Sequence, residues 1–159
     1  MQTAVGGLGK LLAIRMAPGE DLLESLDKAC EQARIKHGVI LSGIGSMDGA
    51  AFFDPVPLKD KKAGYGYGEP IVLRGPIELV SMNGMICEGE DGKRLFHVHC
   101  SFSDQYGNGW GGHLIEGNHV LLTVDVMIAA VEEIFMGRRF DEDLEVYIFN
   151  PTERKDAQA

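Results

Sequence analysis

From Leu22 to Ala33 the apolar residues fall at Leu22, Leu23, Leu26, Ala29, Cys30 and Ala33. Spacing by three and four places them in one stripe along a helix. It predicts a helix over residues 20–36, opened by acidic Glu20 and Asp21 and closed by Lys36, His37 and Gly38, as the helix dipole favours. The rest of the chain lacks that period. Short apolar runs and strict alternation predict strands over 10–17, 39–44, 50–53, 77–88, 94–103, 119–131 and 144–149. Residues 71–73 add a short pairing segment before the Gly75-Pro76 turn, Gly84 is a candidate kink in the 77–88 strand, and 129–136 has some helical character.

Breakers divide these runs. Pro18-Gly19 ends the first strand, and Gly89-Glu90-Asp91-Gly92 has the chemistry of a tight hairpin turn. Residues 54–70 and 104–112 read as loops, the first with a short extended piece at 63–67 and the second carrying Trp110. Residues 151–159 read as a polar tail. One helix and about seven strands, without helices between most of them, exclude a doubly wound parallel fold. They predict an α+β domain: a mixed, largely antiparallel sheet with one main helix packed on it.

Composition narrows the picture. The chain has 159 residues, 45% hydrophobic and 25% charged, which fits one folded domain. Twenty-one glycines exceed the ~11 expected at ordinary usage and predict tight turns and close backbone contacts. The net charge of −9 repels phosphate backbones on average. Cys30, Cys87 and Cys100 include no CxxC pair, so reduced thiols and a cytoplasmic location are expected. No signal peptide and no membrane span are expected from the run of residues.

Candidate chemistry centres on RLFHVHCSFS. Alternation puts His97 and His99 on one face with Leu95 and Ser101, and Phe96, Val98, Cys100 and Phe102 on the other, the core side. The two imidazoles stand ~6.6 Å apart along a strand and can lean onto one ion. His113, after two glycines, is a third candidate, and three histidines leave an open coordination position. The alternative is a pair of polar residues at a subunit interface. Glu78, Asp104 and Glu116 are candidates to orient a ring. Arg74 faces either an anion or solvent. Trp110 and Tyr106 either stack on a ligand or pack at an interface. His119 is expected simply to begin a strand, and Cys100 to be a buried thiol. Ser42-Gly43-Ile44-Gly45-Ser46 is not a dinucleotide loop: position 48 is Asp48, and a strand-like segment follows where a helix should. It predicts a bulge or strand crossing.

One ordered set of segments carries a resemblance. Residues 19–26 (GEDLLESL), 41–46 (LSGIGS) and 75–84 (GPIELVSMNG) lead to Asp91-Gly92-Lys93, His97-Val98-His99, Ser101-Phe102-Ser103-Asp104 and Gly111-Gly112-His113-Leu114. Together they resemble the PPC domain, the plants and prokaryotes conserved domain, also called domain of unknown function 296. The resemblance covers residues 10–150 as a single domain. It implies a homotrimer, and a divalent metal, zinc first, at His97, His99 and His113. It leaves the activity open between a metal-dependent protein with a small acidic ligand, a non-catalytic assembly or regulatory module, and a DNA-binding protein. The chain has no Arg-Gly-Arg-Pro AT-hook, the segment that reads the minor groove in plant members, so specific DNA binding is not expected.

Overall fold

The computed structural model describes residues 1–154. Ten strands and one helix succeed one another as β1 (Gly7–Met16), α1 (Leu22–Gln32), β2 (Gly38–Phe53), β3 (Pro55–Pro57), β4 (Tyr65–Tyr67), β5 (Ile71–Glu88), β6 (Arg94–Asp104), β7 (Gly109–Leu114), β8 (Val120–Glu132), β9 (Ile134–Asp141) and β10 (Val146–Glu153). Eight strands form one sheet in the order β1-β8-β2-β7-β6-β5-β9-β10, and β2 also pairs with β5. That extra pairing closes β2, β5, β6 and β7 on themselves. Pairings are antiparallel apart from a single parallel bridge, Glu88 with Gly137, between β5 and β9. The α+β architecture with one main helix is therefore as expected, with more strands than the sequence pattern suggested.

The helix is shorter than its apolar stripe. Asp21 caps it, its carboxylate accepting the Glu24 N–H at 3.1 Å, which satisfies an otherwise unpaired first-turn donor. Glu20 lies outside and accepts the Ala17 N–H at 2.6 Å. At the far end Arg34 takes a left-handed φ of 55° and turns the chain, so Ile35 re-enters the core and donates to the Cys30 carbonyl at 2.8 Å. Lys36 and His37 therefore belong to the connection into β2, and Gly38 begins that strand; none of the three closes the helix. Leu22, Leu26 and Cys30 are fully buried against Met16, Ile40, Met47, Phe52, Val98, Phe102 and Val124. Burying a leucine this completely stabilises the fold by about 1.5–3 kcal/mol.

Two expected strands are one. β2 runs unbroken through Ser42–Ser46, with register slips against β8 between Ile40 and Ser42 and between Gly45 and Met47. The glycines here serve close strand approach: a Cβ on Gly45 would lie 2.1 Å from the Thr123 carbonyl oxygen. The expected loop at 54–70 holds the small β3–β4 hairpin. The expected turn at 104–112 ends early, and β7 begins at Gly109, held by its ladder to β6. After β8, Glu133 adopts φ 66° and the chain turns back as β9, where helical character had been a possibility. β10 extends to Glu153, into the stretch read as a tail, while residues 155–159 lie outside the described residues.

Candidate metal centre

β6 separates two chemistries by alternation. Val98, Cys100 and Phe102 are 1–5% exposed on the core side. His97 and His99 project from the other side, where Met85 and Asn83 of β5 stand directly opposite them. The third imidazole comes from β7, whose register pairs His113 with His99 on one edge and with Phe53 of β2 on the other. β7 must press closely against both neighbours to bring it there. Gly112 permits this, because a Cβ at that position would come within 2.6 Å of the Phe52 ring and the Phe53 carbonyl oxygen.

The three rings converge, with centroids 5.1, 5.2 and 5.4 Å apart. One nitrogen from each lies within 4.8 Å of the other two. The His97 and His99 Nε2 atoms are 3.2 Å apart. Around a tetrahedral zinc at ~2.1 Å, ligand nitrogens stand about 3.4 Å from one another, so one pair is already at coordination distance and small ring rotations bring in the third. His113 Nδ1 is buried without a hydrogen-bond partner, a cost that protein interiors seldom carry. Burial pushes the His113 pKa down to about 4, and the positive charges of His97, His99 and Arg138 push the same way. His97 is also held below its ordinary value, first by burial and then by Arg138 and His99. Both rings are thus kept neutral, the form in which imidazole binds a metal. The donor set fits a divalent ion; three nitrogens leave a coordination position open, and such an ion would supply Lewis acidity there.

The surroundings include residues that sequence reasoning passed over. Tyr67 of β4 stacks on His113 with centroids 5.0 Å apart and planes 28° from parallel, and Phe53 stacks behind Tyr67 at 5.5 Å. Their only signal was aromatic content in and before an apparent loop. The positive charge of Arg138, on β9, also acts on His97 and His113, from a segment whose strand character was missed.

The other candidates are distributed differently. Glu78 pairs with Ser103 and so shares the histidine face, but four positions of β6, ~13 Å by strand rise, separate that level from His99. Asp104 is occupied by its own loop, accepting the backbone N–H groups of Tyr106 and Asn108 at 2.9 Å and the Asn108 side chain at 2.8 Å. Trp110 pairs with Phe102, on the face opposite to His113. Arg74 is exposed beside Gly49, towards the end of β5 remote from Met85. Glu116 lines a concavity of about 1100 Å³ around Arg94 and α1, and a second of about 740 Å³ opens around His37 and Arg154. None of the three histidines lines either; His99 is exposed and His97 and His113 are half-buried. His119 is exposed and forms an isolated bridge with Asp21. His37 is 3% exposed, against the edge of Phe135 at 5.0 Å.

The family profile of the plants and prokaryotes conserved domain matches residues 3–132. The chain belongs to this family. Among solved structures, the PPC protein of Pyrococcus horikoshii superposes with a TM-score of 0.76 at 26% identity, over 93% of this chain and 97% of that one. A metal-containing protein of Archaeoglobus fulgidus gives 0.79 at 23% identity, over 94% and 99%. A curated relative, the bifunctional protein GlmU of a Synechococcus strain, is 28% identical over 132 residues. Those residues are 83% of this chain, and they span only 18% of the relative's length. No helix among the described residues is long and apolar enough to cross a membrane.

Proposed function

We propose that this PPC-domain protein binds one divalent ion, zinc, on His97, His99 and His113. The observation that carries the reading is the convergence of three imidazole nitrogens within 4.8 Å, together with the unpartnered, buried His113 Nδ1. A relative with this fold is itself described as metal-containing. Water or a small ligand takes the open position. The protein works as a homotrimer in the cytoplasm. Self-association is supported by exposed Leu41, Ile44, Val72, Val80 and Leu122 on the neighbouring strands β2, β5 and β8, since apolar surface of this kind is normally covered. Its three cysteines are buried and unpaired, as suits a reducing compartment.

Elemental analysis of protein purified without an affinity tag or chelator tests the metal. About one ion per chain is expected, lost in both His97→Ala and His113→Ala. A metal-free wild type that also fails to take up added zinc would refute the reading. Sedimentation velocity tests the trimer, and a monomer at micromolar concentration would refute that part.

A further inference from the structure

The connection between α1 and β2 gathers positive charge. Arg34, Ile35, Lys36 and His37 form one wall of the concavity of about 740 Å³. Lys10 of β1, Arg94 of β6 and Arg154 after β10 reach it from three other parts of the chain. Among the described residues, Glu31 and Glu132 are the carboxylates on its lining. Arginines and lysines thus outnumber carboxylates here, whereas the chain as a whole has 15 basic against 24 acidic residues.

Two of these cations have a structural task. Lys10 Nζ donates to the carbonyl of Ala33, the helix C-cap, and Arg94 Nε donates to the Ile35 carbonyl at 3.1 Å. Both answer carbonyls left over where the helix ends. Arg94 is also paired with Asp27 and Glu31, and Glu132 lies over Gly9, where a Cβ would come within 2.3 Å of its carboxylate oxygen. Arg34, Lys36 and Arg154 remain. Among the described residues none of them forms an ion pair with a carboxylate.

Arg154 is held at both ends. Its backbone N–H donates to the Glu133 carbonyl at 2.8 Å, and its guanidinium donates to His37 Nδ1. His37 is 3% exposed and its carbonyl accepts the Val131 N–H at 2.9 Å. A guanidinium stays protonated, so the imidazole accepts and is neutral, and it supplies no counter-charge. The rest of the floor is apolar, with Ile35 buried and Ala130 and Val131 half-buried. Low-dielectric walls focus the field of like charges in a cleft, and an anion of two or more charges offsets it.

We propose that this concavity binds the phosphate group of a small molecule, a phosphate monoester or diphosphate, with Arg34, Lys36 and Arg154 as its donors. The guanidinium forks suit phosphate oxygens. The volume lies within the range of small-ligand sites, so the body of a nucleotide-sized molecule fits beside its phosphate. A nucleic-acid duplex suits the surface less well. The adjoining concavity shares Lys36 and Arg94 but is lined by Asp21, Glu24, Asp27, Glu88 and Glu116, which repel a long phosphate backbone. No metal takes part, so the proposal is independent of the histidine site.

Isothermal titration of the full chain tests it, with metal removed so that no ion holds the anion. Inorganic pyrophosphate and adenosine monophosphate are the probes, each at constant ionic strength. At least one should bind saturably, once per chain. Arg154→Gln and Arg34→Gln should each weaken that binding about tenfold or more. Arg15→Gln removes a charge that is exposed and paired with Asp125, and should leave it unaltered. Absence of saturable binding of both probes at millimolar concentration would overturn the proposal. Unaltered affinity in Arg154→Gln or in Arg34→Gln would do the same, as would equal weakening by Arg15→Gln, a net-charge effect. Tighter binding of a short DNA duplex than of both probes would also overturn it and assign the surface to nucleic acid. If either glutamine variant does not fold, Lys36→Gln takes its place on the same terms.

Discussion

Asn118 and His113 are close in sequence, and both bury polar atoms, to opposite ends. Asn118 is 1% exposed and fully engaged. Its Oδ1 accepts the Ala51 N–H at 2.9 Å, and its Nδ2 donates to the carbonyls of Ala51 and Ile115 at 3.0 and 2.6 Å. Its backbone N–H donates to Asp21, the helix cap, so one residue ties β2, the β7–β8 connection and α1 together. His113 leaves Nδ1 unpartnered and keeps a ring neutral among two other imidazoles. A satisfied network stabilises and specifies a fold. An unsatisfied buried group costs stability and persists where a ligand repays it.

Substitutions can break this contrast. The largest effect is expected at the metal. His113→Ala should weaken zinc binding at least about 100-fold, since loss of a residue that merely supports a ligand costs 10- to 100-fold. Competition against a chromophoric chelator measures it. The metal-free variant should unfold in urea within about 1 kcal/mol of metal-free wild type, because no protein hydrogen bond to Nδ1 is lost. Asn118→Ala should do the reverse. It strands the Ala51 N–H and the Ile115 carbonyl, leaves the Ala51 carbonyl only the longer Ile115 N–H bond, and should cost about 2 kcal/mol or more, with the folded fraction still binding one zinc per chain. Equal stability losses in the two variants would erase the distinction.

Acidity sharpens the comparison further. The unfolded chain protonates His113 near 6.5, while the folded site resists until about 4. Between those values the unfolded state binds more protons, so the stability of the metal-free protein should fall as pH drops through this window and level off below it. His37 and His97 are also held low by burial, so His113→Gln should flatten the slope without abolishing it. Urea midpoints of chelated protein across the window test this, and a wild-type midpoint independent of pH would contradict it. The smallest effect is expected from Tyr67→Ala, which removes the ring stacked on His113. A loss of about 0.5–1.5 kcal/mol should appear in stability or zinc affinity, with stoichiometry intact.

Local pattern carried a good part of this molecule. The alternation in RLFHVHCSFS placed His97 and His99 opposite a core side of Val98, Cys100 and Phe102, because strand side chains must alternate whatever the strand pairs with. The stripe through Leu22, Leu26 and Cys30 marked the helix, and the two glycines before His113 marked a close approach that Gly112 makes. The helix end was misplaced because Arg34, not Gly38, takes the left-handed turn, and arginine carries no local signal for it.

Long-range pairing decided the rest. Apart from Trp110, GWGGHL has little that favours a strand, and half of it is glycine; β7 exists because β6 and β2 offer it ladders. β9 was obscured because its ladder is to β10, with one parallel bridge to β5 between residues distant in sequence. By itself the sequence determined which residues share a face, because that follows from backbone geometry within a single strand. Only the tertiary structure decided which faces meet, bringing His113, with Tyr67 stacked on it, to His97 and His99, because strand order is set by burial and ladder hydrogen bonds across the whole sheet.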